Sequence, residues 1–153
     1  MSDIEKQNQV EIQKLIDLMP KDVQDFLNSF EDIQECYEVV LDLGTSAQIR
    51  YHKTAYNGDH DDESEPSFDQ WIQCLGLDLP PIRQEDIDNV VEKIGSFNPD
   101  NRAGVNGTLH RISCIRNRQE KIIGLTCRVG RAVKGTVHAI RDLIESNKNI
   151  LFL

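Results

Sequence analysis

Aromatic residues are scarce in this 153-residue chain: they make up 6%, include a single tryptophan, and are missing altogether between Thr108 and Leu151. Proteins that hold single-stranded nucleic acid stack its bases on exposed rings, so that stretch supplies no such platform. Long apolar runs are missing too. No stretch of about 18 apolar residues occurs, which excludes a membrane-spanning helix and membrane insertion by that route. The first residues, "MSDIEKQNQV", are acidic and polar, so they do not form a secretory signal, and a soluble intracellular protein is expected. Cysteines are few and far apart: Cys36, Cys74, Cys114 and Cys127 form no C-x-x-C pair and have no histidine at zinc-finger spacing. They read as reduced thiols, with a Cys114–Cys127 bridge the less favoured alternative. Three catalytic signatures are also lacking: a G-x-x-x-x-G-K-[ST] phosphate loop, a Ser-His-Asp set and a pair of working carboxylates.

Charge is abundant and unevenly spread. Residues 1 to 107 hold 8 Lys and Arg against 23 Asp and Glu, a net of −15, whereas residues 108 to 153 hold 9 against 3, a net of +6. An anionic ligand would therefore be sought in the last third of the chain. The plainer alternative is attraction between the two parts, or between neighbouring subunits.

Periodicity predicts the elements. Val10, Ile12, Leu15, Ile16 and Met19 fall mostly at helical spacing, and a second helix follows Pro20, so residues 1–35 read as a helical hairpin. "CYEVVLDLG" and "AQIRYHK" read as two strands around a Gly44-Thr45-Ser46 turn. Residues 57–67, "NGDHDDESEPS", read as a solvated loop. His60 among Asp59, Asp61 and Asp62 lacks the spacing of a calcium loop, and solvated acids are the simpler meaning. Trp71 reads as a core or interface anchor. A helix over Gln84–Ile94 presents Ile87, Val90, Val91 and Ile94 on one stripe and ends at Gly95. "SFNPDNRAGVNGT" is a loop by composition.

The most ordered pattern is a hairpin, "TLHRISCIRNR" and "KIIGLTCRVGRAV" around "NRQEK". Alternation puts His110, Ile112, Cys114, Arg116 and Arg118 on one face of its first strand, and Leu109, Arg111, Ser113, Ile115 and Asn117 on the other. On the second strand Ile123, Leu125, Cys127 and Val129 oppose Ile122, Gly124, Thr126, Arg128 and Gly130. A packed histidine is the expected role of His110. Arg111, Arg116, Arg118, Lys121, Arg128 and Arg131 all lie on or beside this hairpin. The guanidinium fork suits phosphate oxygens, and glycines such as Gly130 and Gly135 let an anion approach. Pairing of these arginines with acidic helices of the same domain weighs about equally. An amphipathic helix from Gly135 to Ser146 should bury Val137, Ile140, Leu143 and Ile144, and the closing run Asn149–Leu153 should form a strand. The fold class expected is therefore α+β: a helical N-terminus, then a mixed or antiparallel sheet with flanking helices, over a domain at 36–134 and a further segment at 135–153.

From about Glu85 to Leu153 the chain resembles the region ahead of the phosphate loop in plastid and cyanobacterial P-loop ATPases related to the stage III sporulation ATPase, and through them the ring-forming secretion and pilus-retraction ATPases. The resemblance rests on "DNRAG", "LHRIS", "IRNR", "IIGLTCRVGRA" and "IRDLIES", with a weaker likeness at "EVVLDLG". It implies that the last strand leads into an ATPase core, so that residues 135–153 begin a truncated P-loop domain. It further implies that the domain assembles in a homo-oligomeric ring, a hexamer being one option. ATP and Mg2+ would be cofactors of the longer protein, in which a separate domain could take nucleic acid, within a plastid stroma or a bacterial cytoplasm. Arg116, Arg128 and Arg131, with Arg111 and Arg118 as weaker candidates, would then sense the nucleotide phosphates and couple ATP state to domain movement. The chain itself, without Walker A or B residues, would not hydrolyse ATP. The competing expectation is a scaffold or binding module whose basic hairpin holds an acidic partner or single-stranded nucleic acid.

Overall fold

Strand β1 (Cys36–Asp42) is apolar at Val39 and Leu41, which a computed structural model places at the centre of a six-stranded sheet. The structure describes residues 3–52, 72–132, 135, 138–146 and 148–151. The acidic loop at 57–67, His60 and Trp71 lie outside them. The other strands are β2 (Gln48–His52), β3 (Ile72–Gly76), β4 (Arg102–Gly104), β5 (Arg111–Arg116) and β6 (Ile122–Arg128), in the order β3-β2-β1-β6-β5-β4. Every neighbouring pair is antiparallel, which resolves the mixed-or-antiparallel alternative.

One face of this sheet carries Val39, Leu41, Ile49, Ile112, Cys114, Leu125 and Cys127, all buried. Helices α1 (Asp3–Ile16), α2 (Lys21–Ser29) and α3 (Gln84–Ile94) share a core with it through Ile12, Leu15, Ile16, Val23, Leu27, Ile87 and Val90. The spacing of these residues is what makes the helices amphipathic, and burying their stripes against the sheet supplies the main folding drive. Val10, of the same predicted stripe, is exposed. Helix α3 starts with a local box: Arg83 donates its backbone N–H to Asp86 at 2.8 Å. It stops at Gly95, whose φ of +89° suits a residue without Cβ.

The region read as a loop by composition contains a strand. Asn98 accepts the backbone N–H groups of Asp100 and Arg102 at 3.0 and 2.8 Å, which turns the chain so that β4 pairs with β5. Asparagine builds such turns with its own side chain, so the same residues that signal a loop here set up a sheet edge. The β5–β6 turn works similarly, with the Asn117 amide oxygen accepting from Gln119 and Lys121.

The C-terminal expectations need correction. The predicted helix is shorter, a 3-10 turn (His138–Ile140) followed by α4 (Arg141–Glu145), with Leu143 and Ile144 exposed. Residues 149–151 form no strand, and no P-loop core is seen among the described residues. Apolar spacing records a tendency to bury, which here is met only in part, at the half-buried Ile140.

Candidate functional site

The sheet face opposite the core is built by a bulge. Cys36 pairs with Tyr51 and Glu38 with Arg50, so β1 holds one extra residue between those pairs. Cys36 and Val39 both enter the core, leaving Tyr37 and Glu38, though consecutive, on the outer face. Re-aiming a side chain is a general use of such bulges. A row of partners then crosses the sheet: Arg50 on β2, Glu38 on β1, Arg128 on β6 and Arg111 on β5. Glu38 is only 4% exposed because Arg50 and Arg128 cover it, each contributing an ion pair, at 3.5 Å for Arg128. Arg111 stands directly opposite Arg128, is exposed, and its side chain makes no hydrogen bond or ion pair among the described residues. Arg102 on β4 lies in the next row, beside Ser113. Two guanidinium groups thus share one carboxylate, and a third, Arg111, stands beside them.

The arginines singled out in the sequence do not gather in one place. Arg128 and Arg111 occupy the outer face just described. Arg116 donates Nε to the Asn101 side chain at 2.9 Å and Nη1 to the Glu120 carbonyl at 2.8 Å, which ties the hairpin end to the β4 turn. Arg131 is partly buried and donates to the carbonyls of Cys36 and Ile33, and burial holds its pKa below the ordinary value. It is a strut between the β6 exit and the start of β1. Arg118 is exposed in the hairpin turn. Arg116 lies on the same side of the sheet as Cys114, as alternation predicts, both side chains donating to the Asn101 amide oxygen; the register shift between Ile115 and Arg116 instead sets Ile122 opposite Arg116 and against the core.

His110 is buried and fully partnered. Gly130 donates its N–H to Nδ1 at 3.0 Å, so Nε2 carries the proton and donates to the Glu11 carbonyl at 2.7 Å. The Glu11 carboxylate, which hydrogen bonds from Gln7 hold below the usual range, accepts the Leu109 N–H. Asn8 both donates to and accepts from the backbone of Ala132, at 3.2 and 3.1 Å. Helix α1 therefore clamps the segment leaving β6. Of the thiols, burial pushes Cys36 up to about 11 and Cys127 up to about 12, so neither is a thiolate near neutral pH. Cys36, Cys74, Cys114 and Cys127 are all free.

Sequence reasoning missed Glu38, Arg50, Tyr37 and His52, because their assembly depends on a bulge and on strands distant in the chain. Tyr37 and His52 meet on the outer face with ring centroids 5.0 Å apart.

Comparison with known proteins gives three relatives. Over 143 residues the chain is 40% identical to the uncharacterized protein ycf45 of Porphyra purpurea, and over 144 residues it is 39% identical to protein SEEDLING PLASTID DEVELOPMENT 1 of Arabidopsis thaliana; each match spans 94% of the chain. A ycf45 protein of Cyanidium caldarium is 40% identical over 116 residues, or 76% of the chain. The chain spans 22%, 18% and 29% of the length of these relatives. No family model matches it. These findings overturn the assignment by resemblance to the sporulation and secretion ATPases: the proteins that match nearly the whole chain bear ycf45 and SEEDLING PLASTID DEVELOPMENT 1 names instead.

Proposed function

We propose that this domain is a non-enzymatic binding module that holds an anionic partner on the outer face of its sheet. The observation that supports this is Arg111 set directly opposite Arg128 with no counter-ion of its own among the described residues, in a row where Arg50 and Arg128 already share Glu38. Like charges directly opposite one another destabilise a sheet, and a bound anion removes that repulsion. The carbonyl-bound Arg131 and the Asn101-bound Arg116 contribute to the framework instead. Plastid work is part of this reading, carried over from the name of the Arabidopsis relative. The motor reading, with its ATP, Mg2+ and ring assembly, rested on the ATPase resemblance and has no further support.

The test is charge reversal. The Arg111→Glu/Arg128→Glu variant should lose at least about tenfold in affinity for a polyanion such as polyglutamate or an oligonucleotide, and its affinity should depend less on salt. Arg128 also covers the buried Glu38, so Arg111→Glu alone, at an exposed site whose side chain has no partner among the described residues, is measured beside the double variant and should stay folded with a smaller loss of the same sign. Equal binding by variant and wild type would remove the face from consideration. Glu38→Gln gives the opposite sign: it removes the competing carboxylate and should tighten polyanion binding severalfold. Stability should drop by about 1 to 2 kcal/mol, since the partners Arg50 and Arg128 can still reach water. Urea titration beside the binding assay reads both effects.

A further inference from the structure

The outer face carries more than charge. The bulge that turns Tyr37 outward sets its ring against His52, 5.0 Å between centroids and tilted by 35°. His52 is exposed and Tyr37 half-buried, so the pair presents an aromatic surface to solvent. It lies at the same end of the sheet as Arg50, two residues from His52 on β2 and therefore on the same face. Beyond Arg50 come Glu38, Arg128 and Arg111, each one strand further on. Rings at one end of a row and two exposed guanidinium groups at the other, with only Glu38 between them and Arg50, meet the two needs of a nucleotide chain, a stacked base and a held phosphate.

We infer that the anionic partner is single-stranded nucleic acid, with a base stacked on the Tyr37–His52 pair and backbone phosphates on Arg128 and Arg111. Three strand spacings separate Arg50 from Arg111, about 14 Å, a span that a single nucleotide does not bridge and an extended strand does. An acidic polypeptide would satisfy the arginines but leave the ring pair unused. The basic stretch from residue 108 onward has no aromatic residue, and for that reason sequence alone disfavours nucleic acid. The sheet order supplies the rings from β1 and β2. The chain as a whole carries −9, which repels a long polyanion, so a short strand engaged at this face in modest salt is the expected ligand.

This inference rests on the anion-binding reading above, and the experiment separates the two. Fluorescence anisotropy of the whole chain is measured with a labelled uridine oligonucleotide, an abasic ribose-phosphate strand of the same length, and polyglutamate. The uridine strand should bind about tenfold or more tightly than the abasic one, the range expected for one stacked base. His52→Ala, at an exposed site, should bring uridine binding down to the abasic level and leave abasic binding unchanged. Tyr37→Phe, which keeps the ring, should retain uridine binding. Arg111→Glu/Arg128→Glu should weaken all strands. Equal affinity for uridine and abasic strands, or tighter binding to polyglutamate, would overturn the nucleic-acid inference while leaving the anion-binding face intact. No binding to any of the three at low salt would overturn both.

Discussion

Replacing Gly130 by alanine is expected to cost on the order of 3 kcal/mol or more and to leave little folded protein at physiological temperature. A Cβ built on Gly130 would sit 2.1 Å from the Leu109 carbonyl oxygen and 2.5 Å from its carbon. Both are backbone atoms, so no side-chain rotation can make room. The chain leaving β6 would have to move away from β5. That movement also breaks the Gly130 N–H bond to His110 and pulls on the Asn8–Ala132 pair, which binds the same segment to α1. A polar group buried and left unpartnered adds its own penalty. The urea midpoint, compared with that of Gly76→Ala, whose Cβ would meet nothing within 4 Å, separates crowding from a general glycine effect. Similar midpoints for the two would refute the argument.

His110→Ala should be the second most damaging change, at about 2 to 4 kcal/mol, since it opens a cavity and strips partners from the Glu11 carbonyl and the Gly130 N–H together. The same residue makes stability depend on pH. Burial holds the imidazole below its ordinary pKa, with Lys14 and Arg131 adding to the effect and Glu11 opposing it. The unfolded chain, with histidine near 6.5, therefore takes up a proton before the folded one does. Stability contributed by His110 is fully present above that value and is lost as pH falls below it toward the folded-state pKa. The protonated ring could no longer accept the Gly130 N–H. Glu11 has its carboxylate pKa lowered as well, so its own contribution is lost only in more acidic solution. Thermal midpoints between about pH 7.5 and 5 should fall more steeply for the wild type than for His110→Gln, which cannot titrate. Parallel profiles would exclude His110 as the source.

The elements were legible wherever a single segment determines its own shape. Ile12, Leu15 and Ile16 recur at helical spacing, Gly95 stops a helix, and the alternation in "LHRISCI" puts Ile112 and Cys114 inward as the structure has them. Each of these follows from the helical or strand repeat acting on neighbours in the chain. Asn98 shows where that logic gives out. Its side chain makes a turn in either reading, and only the arrival of β5 decides that the turn leads into a strand.

By itself, then, the sequence determined the α+β class, the helical hairpin, the paired strands and the concentration of basic residues after Thr108. All depend on contacts or composition within short stretches. Tertiary structure alone decided that Arg116 and Arg131 are spent on carbonyls and an amide, and that Arg128, paired with Glu38, and Arg111 stand exposed on a face with Arg50. It also decided that Tyr37 and Glu38 share that face. The reason is register: which residues oppose one another across a sheet is set by pairing between strands up to 90 positions apart, as Glu38 and Arg128 are, and one extra residue in β1 shifts every side chain before it to the other side.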